Sequence, residues 1–150
     1  MTEKIQKESI PMTALVPIIR EVIQSGGEFN LFTRGTSMRP TICEGRHSVL
    51  LCECTSPVPG DIVLYERSEG HFVLHRIVRI RGSVMTMCGD NQFVLEKGVP
   101  VSSIVARVDK ILDGENALFV NKSLLFRWKL GFIRLVRRAK RIAAKIIKKK

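Results

Sequence analysis

Between Phe29 and Val120 the chain breaks into short alternating runs, each closed by turn residues, and this punctuation constrains the fold more than any other feature. His47 to Cys54 is one run, and Pro57-Val58-Pro59-Gly60 ends it. Asp61 to Glu66 comes next, and Ser68-Glu69-Gly70 reads as a hairpin tip leading into Phe72 to Ile80. Arg81-Gly82-Ser83 turns the chain into Val84 to Cys88. A last run spans Ser103 to Leu112, with Asp113-Gly114 as its turn. Strands of this length cannot bury an apolar face singly, so they predict a mainly β fold with one shared core. No internal repeat or low-complexity segment interrupts the pattern.

Helical periodicity is confined to the flanks. Over 13–25, Leu15, Val16, Ile19, Val22 and Ile23 fall on one stripe, and Gly26-Gly27 stops it. In the tail, Phe132, Leu135, Val136, Ala139, Ile142, Ala143, Ile146 and Ile147 share one arc at 100° per residue. Arg134, Arg137, Arg138, Arg141, Lys145 and Lys148 fill the opposite arc, and Phe126 and Trp128 precede both. The expected organisation is an arm and helix over 1–28, a β domain over 29–122 and a basic amphipathic helix over 123–150. With 150 residues, 45% of them hydrophobic, the chain supports one domain with a real core.

Charge separates these parts. Residues 1–122 carry 14 basic and 14 acidic side chains, whereas 123–150 carry 11 basic and none acidic. A neutral body argues against wrapping nucleic acid. The tail suits an anionic membrane surface. The other reading of its apolar stripe is docking on the β domain, with the basic face solvated. Ser9 to Ile19, the longest stretch without charge, has 11 residues, well short of the about 20 that cross a bilayer. The amino terminus lacks the charge pattern and cleavage site of a secretory signal. Cys43, Cys52, Cys54 and Cys88 lack zinc-site spacing and are expected to be buried, reduced thiols of a cytosolic protein, with no metal or cofactor.

Four segments carry candidate chemistry. A serine in a Gly/Pro-rich loop such as Gly35-Thr36-Ser37-Met38-Arg39-Pro40-Thr41 is by itself an ordinary turn residue. Taken together with three segments further along the chain, it resembles the nucleophile box of the type I signal peptidases. Pro59-Gly60-Asp61-Ile62-Val63 resembles the next box, Leu74-His75-Arg76-Ile77 the general-base box, and Gly89-Asp90-Asn91 the closing acidic box. All four stand in the family's order, across the superfamily of signal peptidases and self-cleaving SOS repressors. Many of its members pair serine with lysine; His75 here resembles the endoplasmic-reticulum, archaeal and sporulation branch.

The resemblance implies a compact coiled β-sheet peptidase domain and a serine endopeptidase that cleaves signal or leader peptides. Ser37 would be the nucleophile and His75 the base. Neutral imidazole can accept the hydroxyl proton near neutral pH without the strong desolvation a lysine needs. A histidine base calls for an acid that fixes its tautomer; Asp90 is the first choice and Glu96 the alternative. The backbone N–H of Ser37 would supply the oxyanion hole. Gly35 stands where some members place a serine, and Met38 and Pro40 match residues that shape the substrate groove. Asp61 reads as a turn residue, and His47 and His71 as surface or strand-end residues.

Eukaryotic and archaeal members of the family it resembles usually carry a transmembrane anchor just before the serine box, where this chain has a polar arm and an amphipathic helix. The expectations are therefore a cytoplasmic location, peripheral at the membrane through 123–150, and a peptide or precursor protein as substrate. Two rivals share the fold. A self-processing regulator needs a cleavable bond upstream of Ser37, and Gln24 to Asn30 offers no Ala-Gly or Cys-Gly pair. A peptide-binding module would keep the groove without turnover.

Overall fold

The computed structural model describes residues 10–119; the expected tail helix over 123–150 and the first nine residues lie outside them. The described chain is mainly β. Helix α1 (Met12–Gln24) is followed by strands β1 (Phe29–Phe32), β2 (His47–Cys52), β3 (Ile62–Ser68), β4 (His71–Arg81) and β5 (Val84–Cys88). Then come β6 (Glu96–Pro100), a 3₁₀ turn (Val101–Ser103), β7 (Ile104–Asp113) and β8 (Asn116–Phe119). All pairings are antiparallel, in the order β1-β2-β7-β3-β4-β5-β6. Strand β8 folds back on the end of β7 beyond the segment that pairs with β3.

Turn chemistry sets these pairings. Gly70 (φ 72°) closes the β3–β4 hairpin and Gly82 (φ 55°) the β4–β5 hairpin, both in the left-handed region that a side chain resists. After Pro59-Gly60, the Asp61 carboxylate accepts the Val58 N–H at 2.9 Å, which makes Asp61 a turn residue. Strands β1, β6 and β8 were not individually legible in the sequence. Each has only four or five residues, and β6 holds Lys97-Gly98 and ends in Pro100. Pairing to β5, from Val84↔Pro100 to Met87↔Glu96, stabilises what reads locally as a turn.

Alternation along the strands divides the core. Ile62, Leu64, Val49, Leu51, Ala106 and Val108 pack with Val16, Ile19 and Ile23 of α1. Val63, Tyr65, Ile77, Met85, Met87 and Val99 form a second cluster. The buried α1 residues lie within the predicted stripe and pack into the same core as the strands. Fully burying each such aliphatic side chain contributes about 1.5–3 kcal/mol. The four cysteines are thiols, as expected, but only Cys88 is buried. Strand β2 ends at Cys52, leaving Cys54 half-exposed just beyond it, where burial and the Asp61 charge push its thiol up to about 11. Among the described residues no helix is long and apolar enough to cross a membrane.

Candidate active site

Ser37 sits in the loop between β1 and β2, whose backbone folds on itself through Arg39 N–H to Thr36 O and Ile42 N–H to Met38 O. Gly35 (φ 92°), three residues past β1, donates its N–H to Glu44, while Met38 and Ile42 pack the loop into the core cluster that includes α1. The loop rests directly on the turn after β5. Asn91 N–H donates to the Ser37 carbonyl at 2.7 Å, and Asn91 Nδ2 donates to Thr36 O at 3.2 Å. Gly89 lies so close that a Cβ there would meet the Ser37 carbonyl oxygen at 2.6 Å. Only glycine permits that approach.

His75 lies mid-β4, opposite Val63, and is buried. Its Nδ1 stands 3.3 Å from the hydroxyl of Tyr65, which donates to Glu96 Oε2 at 2.7 Å. Arg67 holds both Glu96 oxygens, the closest contact being 2.8 Å. Burial, reinforced by the Arg67 charge, lowers the His75 pKa below the ordinary histidine value; Glu96 and Asp90 oppose this. At neutral pH the imidazole is therefore neutral, the form a general base requires. Burial would raise the Glu96 pKa, but hydrogen bonds from Arg67 and Tyr65 outweigh it and the net shift is downward.

Next in sequence, Arg76 points to the other face of the strand. It donates from Nε and Nη2 to the two Asp90 oxygens at 2.9 and 2.6 Å, and from Nη1 to Gly60 O at 2.8 Å. Thr41 also donates to Asp90 Oδ2. The two candidate acids thus have distinct surroundings: Asp90, the first choice, holds Arg76 and Thr41, whereas Glu96 reaches the His75 ring through Tyr65. Tyr65 and Arg67 escaped the sequence reading. The available signal was a tyrosine in an aliphatic run, two positions from the residue opposite His75, because a buried phenol needs a partner.

Two clefts flank this arrangement. One, of about 380 Å³, is lined by Ser37, Gly35, Met38, Leu31, Leu64 and Leu74, among others, and passes beside Pro11 and Met12. The other, of about 310 Å³, is lined by His75, Arg67, Met87, Phe93, Val94 and Glu96, with Gln92. Ser37 and His75 open onto different clefts and are not hydrogen-bonded to each other. Pro40, expected at the groove, is exposed and outside its lining. His47, read as a surface or strand-end residue, is a buried first residue of β2 whose Nδ1 accepts the Cys43 N–H. His71 is exposed at the start of β4. No protein-family model matches the chain, and a search of curated proteins returns no significant match.

Proposed function

We propose that this chain is a serine endopeptidase resembling the type I signal peptidases, with Ser37 as nucleophile and His75 as base. One observation carries the reading. Asp90 and Asn91, consecutive in sequence, fasten Arg76 beside His75 and the carbonyl of Ser37 respectively. The loop bearing the serine and the strand bearing a neutral histidine are thus held by one turn.

In the proposed reaction, Ser37 Oγ attacks the scissile carbonyl carbon and its proton passes to His75 Nε2. The oxyanion accepts the Ser37 N–H. As the C–N bond breaks, Nε2 returns the proton to the leaving nitrogen, leaving an ester on Ser37. Water then attacks that ester, giving one proton to His75, which passes it to Ser37 Oγ as the acid departs. Hydrogen bonds between catalytic groups often tighten only when substrate binds, so separation in the free protein is compatible with this scheme. An extended peptide fits the apolar cleft beside Ser37, and the substrates would be leader or signal peptides. The basic segment 123–150 would hold the enzyme on an anionic membrane surface at the cytoplasmic face.

The test compares protein amino termini by mass spectrometry in cells carrying wild type or Ser37→Ala. Termini that depend on Ser37 are the expected result; identical termini, with a serine-directed fluorophosphonate failing to label wild-type Ser37, would overturn the reading. The opening of Ser37 and His75 onto separate clefts favours one rival, a peptide-binding module without turnover. That rival predicts peptide capture by wild type and Ser37→Ala alike.

A further inference from the structure

Deepening the peptidase reading and resting on it, we propose that Tyr65 is a positioning residue that fixes the tautomer of His75 and couples it to Glu96. Tyr65 touches no scissile bond in this scheme; it acts through His75. The hydroxyl has one proton to give and lone pairs to accept with. The Glu96 carboxylate, already held on both oxygens by Arg67, accepts only, and it stands at 2.7 Å. The phenolic proton therefore goes to Glu96. What Tyr65 presents to His75 Nδ1 at 3.3 Å is a lone pair, so Nδ1 carries the ring proton. The Nε2 lone pair is then the free one, as the proposed base requires.

The relay runs Nδ1–H to Tyr65 Oη, and Tyr65 O–H to Glu96. It differs from a direct histidine–carboxylate pair by one interposed hydroxyl. Every member is held in place: Tyr65 and His75 are buried, their rings are tilted at 54° with centroids 6.2 Å apart, and Glu96 is fixed by Arg67. When Nε2 takes a proton, the imidazolium is stabilised by the Glu96 charge acting through a polarised hydroxyl. A phenylalanine at this position would fill the core but would offer Nδ1–H no acceptor.

Two measurements on the full chain test this, one of them independent of activity. Long-range ¹H–¹⁵N spectra of histidine-labelled protein report which nitrogen of His75 is protonated. The expected result is Nδ1–H in wild type and, in folded Tyr65→Phe, relaxation toward a mixture with Nε2–H. Glu96→Ala offers a second route should Tyr65→Phe fail to fold: deprived of its acceptor, the phenol donates to Nδ1 and the proton moves to Nε2. Labelling of Ser37 by a fluorophosphonate should slow in Tyr65→Phe by about 10–100-fold, the scale seen when the hydrogen-bond partner of a metal-ligating histidine is removed. Nε2–H in wild type, or Nδ1–H retained in the variants, overturns the relay. A tautomer that moves as expected, while wild-type Ser37 never labels and no protein terminus depends on it, upholds the relay and sinks the peptidase reading instead.

Discussion

Arg76 and Asp90 form a buried ion pair: Nη2 and Oδ2 are 2.6 Å apart, and the side chains are 0% and 5% exposed. The pair binds β4 to the turn after β5, and that turn carries the Ser37 loop through Asn91. Its contribution is as much geometric as energetic. An ion pair buried this deeply offsets its own desolvation only while both partners are present.

Removing either partner is therefore expected to cost nearly as much as removing both. Asp90→Ala and Arg76→Ala should each lower unfolding free energy by about 3–5 kcal/mol, because each strands a buried charge. The double variant should lose clearly less than the sum of the two. Urea unfolding of the four proteins checks this, and simple additivity would show that the pair is not coupled.

The neutral burial of His75 predicts an acid sensitivity of stability. Burial and the Arg67 charge lower its pKa against the opposing charges of Glu96 and Asp90, while the unfolded chain titrates near the ordinary value of about 6.5. Between that value and the lower folded one, the unfolded state takes up a proton that the folded state does not. Stability contributed by neutral His75 is thus complete above about pH 6.5 and is lost as pH falls below it. Urea midpoints at about pH 7.5 and 5.5 should fall further in wild type than in His75→Gln. Equal losses would assign the acid sensitivity to other groups. The acidic limb of Ser37 labelling should, for the same reason, lie below about pH 6.5.

Gly89→Ala should damage the site more than the fold. Its Cβ would press on the Ser37 carbonyl, a backbone atom that can move only with its loop. A displacement near 1 Å at a reacting group can cost about 100-fold, so Ser37 labelling should fall by about that factor. The comparison is Gly114→Ala, also at positive φ (61°) but with no atom near its Cβ. Gly114→Ala should lower the melting temperature and leave the labelling rate intact. Equal labelling in the two variants would mean that contact with Gly89 does not position Ser37.

Local pattern determined much of this protein. Alternating runs with Gly and Pro punctuation located β2, β3, β4, β5 and β7 to within a few residues, and the apolar stripe located α1, because both signals are set by neighbours in sequence. The same logic failed for β6, where Glu96-Lys97-Gly98 reads as a turn until β5 lies alongside it. The sequence could name Ser37, His75, Asp90 and Glu96 through a resemblance, and it put Asp90 ahead of Glu96 beside His75 without any view of what each carboxylate touches. Alternation on β4 divided the two acids: Arg76 faces Asp90 on one side, and His75 faces Tyr65 and Glu96 on the other. Which carboxylate meets which face depends on strand register, which brings together Arg76 and Asp90, 14 positions apart, and Tyr65 and Glu96, 31 apart. Contacts at that range depend on tertiary pairing, whose shift by a single residue turns every side chain to the other face.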